Sequence, residues 1–541
     1  MGQLSSLTDC RTETAASSVP PRRVARNTCF FFLISFALVF GGFGVGRKMN
    51  VDENVFTASA AMLSRHFILP YRDYHYNHMP TLVILYALVF KASSYLLLAA
   101  RLVSAICAAG AAAIFFSVGY RSFDRLNERK RFWCAAGAGV MFLANPLFTR
   151  TAGRAWNHDF PVLMSLLGFL VLERGLSSRG FGRVLGAGIL VGLAVTARLT
   201  FATELAPFYL FIILFPAVSL SRRITLFSAF TIGGLIAFIP SIWFWAQSPA
   251  NAYFGNFLYP ALNTRWHFLH DDVDHNRFSL LPKMWYFIKL TWEMPGNGLL
   301  LWTFVWFSFS MLRWRKARVD AFQCKLLILV LLAASQIASG LVPSPPFVQY
   351  FYAATPFMLW AVIICLGRMS TIPRGAVRWV LGGLAIVSVG FAVPEYRGLP
   401  RLFWPPAWFP VQAHEIGREL AQRVGGSPVL TLDPLYPLEG GLEIYPELAT
   451  GPFGMRVGAY LSADHRREYR MWDDADVTAL FDGANPPAVM ISPGGDDAED
   501  DTLFAKLAEQ HNYSFVQLRA KNPLVNLWLP PRRVAAAAGT E

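Results

Sequence analysis

The chain has 541 residues, of which 54% are hydrophobic and 15% charged, with a mean hydropathy of +0.38. A soluble protein commonly carries about a quarter charged residues, and many apolar runs here approach the ~20 residues that cross a hydrocarbon core as a helix; an ordinary soluble enzyme is excluded and a polytopic membrane protein predicted. The net charge of +13 does not imply nucleic acid, because the positive residues cluster in short loops between apolar runs, the positive-inside pattern.

Residues 1–27 are Ser/Thr/Pro/Arg-rich and read as a disordered cytoplasmic segment held inside by Arg22, Arg23 and Arg26. The run Thr28 to Gly46 has no small-residue cleavage site and is followed at once by Arg47-Lys48, so it reads as a retained span. Asp52 is then extracytoplasmic. Met49 to Pro80 opens on Asp52-Glu53, where Asp52 is placed to cap a helix. Val55, Phe56, Met62, Leu63 and Phe67 recur at helical spacing and predict an amphipathic helix lying in the interface. A turn rich in acid, base and aromatic groups, Tyr71 to His78, follows.

Thr81 to Phe90 is apolar but only ten residues long, too short to span. Treating it as a span would put the basic loop Arg121 to Arg131 outside, so it is kept at the outer surface. The expected spans are then Ala99 to Tyr120, Phe132 to Phe148, Phe160 to Leu172, Val184 to Ala197, Thr200 to Phe215 and Ile224 to Trp245. A long aromatic outer loop, Ala246 to Gly296, precedes Asn297 to Leu312, Leu326 to Val342, Tyr350 to Leu366 and Val380 to Val393. Together with the first, this makes about eleven spans, N-terminus in and C-terminus out.

Glu395 to Glu541 is polar and holds none of the six cysteines. Val411 to Val424 reads as a helix. Val429 to Leu432, Ala488 to Ser492, Phe515 to Arg519 and Val525 to Leu529 read as strands, with helices near Asp476 to Phe481 and Thr502 to Gln510. The predicted fold class is a polytopic α-helical membrane protein with a C-terminal extracytoplasmic α/β domain, divided at 1–27, 28–394 and 395–541. Cys10, Cys29, Cys107, Cys134, Cys324 and Cys365 form no CxxC pair, zinc spacing or disulfide framework.

Asp52-Glu53 leads the candidate chemistry. A carboxylate at the membrane surface can deprotonate an acceptor that attacks a membrane-anchored donor; the plain alternative is a helix cap in solvent. Asp159, in Arg154-Ala-Trp-Asn-His158-Asp159, falls on the same side by this topology. Asp52 and Asp159, with His158, can share a divalent metal or position an acceptor; the alternative is a helix-start Asp. Arg72, His75 and His78 are candidates to hold a phosphate or sugar, against interfacial snorkelling. Arg198 sits in an otherwise apolar hairpin, where an ionisable group is expensive. The cluster His267 to Arg277 reads as a solvated loop. Tyr350 and Tyr352 read as an aromatic belt or a substrate wall. No GxSxG, Walker or HExxH motif is present.

The order Asp52-Glu53, then LPYRDYHYNHMP, then an apolar helix and Ala100-Arg101-Leu102-Val103-Ser104 resembles the GT-C glycosyltransferases. The likeness is to the branch containing protein O-mannosyltransferases and the lipid A aminoarabinose transferase. Asp159, Arg198 in a Gly192-Leu193-Ala194…Arg198 run, and Tyr350…Pro356 fall in family order, so the resemblance covers Thr28 to Val393. His78-Met79-Pro80 stands where His-Pro-Pro is common, and Gln349 where arginine often precedes the tyrosine. The resemblance implies a plasma (inner) membrane enzyme that takes a sugar from a polyprenyl-phosphate donor to an extracytoplasmic lipid, glycan or protein acceptor. It implies Asp52 as base, Glu53 as its neighbour, Asp159 as the second loop's acid, and Arg72 and Arg198 on the phosphate side. The rival readings are a transporter or flippase of lipid-linked sugars, for which no internal repeat is visible, and a non-catalytic membrane scaffold.

Overall fold

Backbone in lipid must satisfy its own hydrogen bonds, so each apolar run is expected to be helical. The computed structural model describes residues 21–178, 180–216, 218–270, 278–312, 320–369, 376–425, 428–483, 485–492, 498–518 and 525–531. It is mostly helix. In order come α1 (Pro21–Val39), which runs into a π turn, then α2 (Val51–His66), α3 (Thr81–Phe90), α4 (Leu96–Ser122), α5 (Glu128–Leu143), α6 (Pro146–Thr151), α7 (Asp159–Ser178) and α8 (Phe181–Ala197). Next are α9 (Leu205–Leu214), α10 (Leu220–Gln247), α11 (Pro249–Tyr253), α12 (Tyr259–His270), α13 (Leu280–Glu293), α14 (Pro295–Met311), α15 (Ala321–Leu341), α16 (Ala354–Arg368) and α17 (Ala376–Ala392).

Six helical segments among the described residues are long and apolar enough to cross a membrane: Arg22–Gly44, Leu96–Ser122, Asp159–Ser178, Leu220–Gln247, Ala321–Leu341 and Val348–Arg368. The other expected spans coincide with the shorter helices α5, α8, α9, α14 and α17. Small residues set the helix spacing. A Cβ at Gly188 would stand 2.1 Å from the Phe230 carbonyl oxygen, and one at Gly233 2.1 Å from that of Leu185. Helices α8 and α10 can approach so closely only because neither residue has a side chain.

Two sequence expectations are corrected here. The stretch Ala246 to Gly296 is not a plain loop, since α11, α12 and α13 occupy most of it. Leu281, Met284, Trp285, Ile288 and Trp292 on α13 are exposed at helical spacing, the pattern of a helix lying in the interface. Helix α2 does not lie there. Nearly all of it is buried, including Ala58 and Ala61 on the side away from the apolar stripe as well as Ser59 and Ala60. These small residues let other elements close over it.

The covering comes from the C-terminal part. Helices α18 (Phe409–Arg423) and α19 (Leu435–Glu439) precede most of a four-stranded sheet of β1 (Val429–Leu430), β2 (Ala488–Ile491), β3 (Ser514–Gln517) and β4 (Asn526–Leu529). The strand order is β1-β2-β4-β3, with β1 parallel to β2 and the other pairs antiparallel. Val55, Phe56 and Ala58 of α2 share one apolar core with Leu435, Tyr436, Leu438 and Val457. Asn54 Nδ2 donates to Asp433 Oδ1 at 2.9 Å. Buried Glu439 accepts the Leu97 backbone N–H of α4 at 2.8 Å and meets His414 Nδ1 at 2.8 Å.

A chain ending at residue 394 should therefore fail to fold. Removing the cover exposes α2 and leaves the start of α4 without the Glu439 acceptor. The expected result is aggregation in place of a monodisperse peak on size-exclusion in detergent. A truncated chain that ran as a sharp peak and melted cooperatively would show the two parts to be separable.

Candidate active site

The turn into α2 places the leading acid. Asn50, not Asp52, is the N-cap: its side chain accepts the Asp52 N–H at 3.0 Å, and Glu53 Oε2 reaches back to the Asn50 N–H at 3.1 Å. This is a capping box with its glutamate at the third helical position. It assigns the capping work to Asn50 and Glu53 and leaves Asp52 on the outer side of the first turn, partly buried.

Glu53 turns the other way. Its side chain and that of Arg101 are fully buried. Arg101 Nε donates to Glu53 Oε1 at 2.8 Å and Nη2 to Oε2 at 2.6 Å. The same guanidinium bonds the carbonyl oxygens of Gly44, Arg47 and Lys48. The Ala155 N–H donates to Glu53 Oε1 at 2.8 Å. Burial pushes the Glu53 carboxyl up, but Arg101 outweighs it and holds the carboxyl below its ordinary range. One fork thus ties span one, α2, α4 and the 153–158 turn together.

Two cavities meet at Asp52. The first, about 820 Å3, is lined by Arg47, Arg150, Arg154 and Arg456, by Asp52, Glu293 and Glu395, and by Trp156, among others. The second, about 610 Å3, is lined by Asp52, His78, His158, Arg198 and Tyr350 together with apolar Phe56, Met79, Leu199, Val342 and Phe347. Asp52, Trp156, Asn263, His267 and Tyr350 belong to both walls. Buried Arg154 Nε, Trp156 Nε1 and Asn263 Oδ1 have no hydrogen-bond partner among the described residues. Buried polar atoms are normally paired, so this wall is arranged for polar company.

The first cavity is cationic. Arg47 is fixed by the Thr149, Arg150 and Ala152 carbonyl oxygens and by Glu395 at 3.4 Å. Burial and then Arg154 bring Arg47 down to about 10. Burial lowers Arg154 as well, against Glu53 and Asp52. Both stay charged at neutral pH. In the second cavity Arg198 Nη1 lies 2.6 Å from His158 Nδ1 and 2.8 Å from its Nε2. The guanidinium also sits 5.2 Å from the Tyr350 ring centroid, a cation–π distance. Burial, then Arg198, lowers His158 well below the usual imidazole range and His78 to about 3. Both histidines are neutral at physiological pH, and Arg198 is the positive charge of that wall, facing Asp52.

Of the residues singled out in the sequence, the fold brings Asp52, His78, His158, Arg198 and Tyr350 to common cavity walls. Asp159 is not on either wall. Its Oδ2 accepts the Gly153 N–H at 2.9 Å and its Oδ1 the Tyr352 hydroxyl at 3.4 Å. Gly153 has φ +75°, and a Cβ there would stand 3.1 Å from Phe43 Cβ, so glycine alone suits this left-handed turn. Asp159 thereby holds the loop that carries Arg154, Trp156 and His158. Arg72 is exposed and paired with Asp73 at 2.8 and 2.7 Å. His75 is buried against Tyr259 and Phe254 with ring centroids at 4.5 and 5.4 Å, outside both walls. His267 is buried and lines both cavities, not the solvated loop expected; Asp271, Asp272, Asp274, His275 and Arg277 lie outside the described residues.

Sequence reasoning passed over Arg47, Arg150 and Arg456 as site residues. Arg47 reads as a flanking charge of span one, and Arg150 and Arg456 stand in no motif. Only the fold brings them to Asp52. Among the described residues no group of three or more His, Cys, Asp or Glu side chains is disposed to hold a metal ion. Of Asp52 and Asp159, the expected metal pair, Asp52 lines both cavities and Asp159 lines neither. No step below is routed through a cation.

His75 gives a test by pH. Burial, then His78, lowers it to about 3, whereas an unfolded histidine titrates near 6.5. Between these values the unfolded chain binds more protons, so stability falls as pH drops from about 6.5 toward 3. Replacing His75 with Phe keeps the aromatic packing and removes this term. The melting temperature of the variant should decline less steeply with acid across that window. An unchanged slope would place the titrating group elsewhere.

No protein-family model matches the chain, and no curated protein matches it. Solved structures do. The fold is shared with two crystal structures of one protein. ArnT from Cupriavidus metallidurans bound to undecaprenyl phosphate has TM-score 0.59 and 15% sequence identity, covering 96% of this chain and 100% of that one. The same protein in its apo state has TM-score 0.59 and 14% identity, with the same coverage. At such identity the likeness is one of fold.

Proposed function

We propose that this protein is a membrane glycosyltransferase that moves a sugar from a polyprenyl-phosphate donor to an acceptor, with Asp52 as general base. The observation that carries the reading is the position of Asp52 at the junction of two cavities of different chemistry. The second cavity combines apolar walls with Arg198, which suits a phosphate on an isoprenoid chain. The first is polar and arginine-lined, which suits the head of a polar lipid, glycan or protein acceptor. The fold-matched ArnT was crystallised with undecaprenyl phosphate, a compound of the expected donor class.

In this mechanism the acceptor hydroxyl or amine loses its proton to the Asp52 carboxylate. Its oxygen or nitrogen attacks the anomeric carbon, and the bond from that carbon to the phosphate oxygen breaks. The phosphate leaves with the electron pair, and Arg198 stabilises the developing charge. A general base contributes about 10²–10⁴ in rate. Glu53 and Asp159 act as positioning residues, the first through Arg101 and the second through the 153–158 loop. The eleven-span topology, with the site and the C-terminal α/β part facing outward across an inner membrane, is supported by the basic loops on the opposite side.

The test is transfer from a polyprenyl-phosphate sugar by the purified protein in liposomes, read as release of polyprenyl phosphate. Comparative mass spectrometry of glycans and lipids from cells with and without the protein identifies sugar and acceptor. Failure to consume any polyprenyl-phosphate sugar, with lipid-linked sugar moved intact between leaflets instead, would establish the flippase reading.

A further inference from the structure

Helix α4 starts beside the site and ends at another cavity. Arg101 is bonded to Glu53, and Arg121 lies 20 positions further along the same helix. At 1.5 Å per residue that is about 30 Å, the thickness of a hydrocarbon core. The cavity there, about 550 Å3, is lined by Arg121, Arg174, Arg183, Lys325, Glu173 and Trp360, among others.

Its charges do not cancel. Glu173 is already paired with Lys325 at 2.6 Å. Arg183 donates to Ser178 Oγ at 2.8 Å, a neutral partner. The guanidinium groups of Arg121, Arg174 and Arg183, from three different helices, therefore converge on one opening. Like charges gathered around a cavity repel unless an anion joins them. The floor is Trp360, which is fully buried, and its indole N–H has no partner among the described residues. A satisfied core tryptophan would have one. Trp360 lies eight residues before the end of α16, about 12 Å inward. The site thus has a guanidinium rim, which matches phosphate oxygens bidentately, and an indole donor set deeper among apolar Val118 and Leu170.

We infer that this cavity binds a phosphate ester, at the membrane face opposite the transfer site. The ester comes either from an anionic lipid headgroup of that leaflet or from soluble phosphate. The assignment does not depend on the sugar-transfer reading.

Native mass spectrometry of the full-length protein in detergent tests it, with phosphatidylglycerol titrated against net-neutral phosphatidylcholine. The protein should retain phosphatidylglycerol selectively. Arg121→Gln/Arg174→Gln, both exposed positions outside the transfer machinery, should lower that retention by about tenfold or more. Arg183→Gln should lower it less, and all variants should keep the melting temperature and basal sugar transfer. Millimolar inorganic phosphate separates the sources. Lipid retention that survives phosphate assigns the headgroup, and displacement of the lipid by phosphate assigns the soluble ion. Equal retention of both lipids, or retention equal in wild type and in the variants, overturns the proposal.

Discussion

Replacing Asp52 with Asn should lower sugar transfer by about 10²–10⁴-fold, the usual worth of a positioned general base, and leave the fold intact. Asparagine has the same shape and keeps the polar atoms that face the two cavities. The capping of α2 rests on Asn50 and Glu53, so the substitution removes the carboxylate without removing the cap. Melting temperature and donor binding should be near those of the wild type, with the loss concentrated in kcat. Asp159→Asn should act differently. It weakens the acceptor of the Gly153 N–H and loosens the loop that carries Arg154 and His158, so KM and kcat should both change. Steady-state kinetics in proteoliposomes, with release of polyprenyl phosphate as readout, separate the two. Full activity in both variants would remove the site assignment.

The buried fork of Glu53 and Arg101 should dominate stability. Truncating one partner strands the other charge in a dry interior, which costs about 3–5 kcal/mol, a large part of a typical folding free energy. Glu53→Gln and Arg101→Met should each lower the melting temperature sharply or abolish folded protein. The double variant should lose less than the two single losses combined, because it leaves no uncompensated charge. Thermal unfolding in detergent, arranged as a double-mutant cycle, gives the coupling. Strict additivity would mean that the fork does not act as a unit. The sign with pH follows from the depressed Glu53 carboxyl. Its stabilisation is complete above the ordinary pKa of about 4.5 and is lost as pH falls through the lower folded value. This acid limb begins well below the histidine limb.

The apolar helices, the first among them, and the short α3 were legible because they depend on local composition. Apolar length and the placement of Lys and Arg act within a single segment. The four strands near the C-terminus were legible for the same reason, as short β-branched runs between turns. Asp52 stood out because adjacent acids just past a span are chemically conspicuous. The role of Glu53 was not legible, since its partner Arg101 is 48 positions away and the Ala100-Arg101-Leu102-Val103-Ser104 stretch says nothing of which acid it meets. The burial of α2 was missed because its cover arrives from residues more than 370 positions later.

What the sequence by itself determined is therefore the medium, the helices and one conspicuous acid. The tertiary structure alone decided which charges converge. It brought Arg47, Arg150, Arg154 and Arg456 to one cavity wall and Arg198 to the next. It buried Glu53 and Asp159 outside both cavity walls and left Arg72 exposed. The physical reason is range. Hydrophobic period and length are properties of neighbours along the chain, whereas a charge takes its function from groups across space, and helix packing sets those distances.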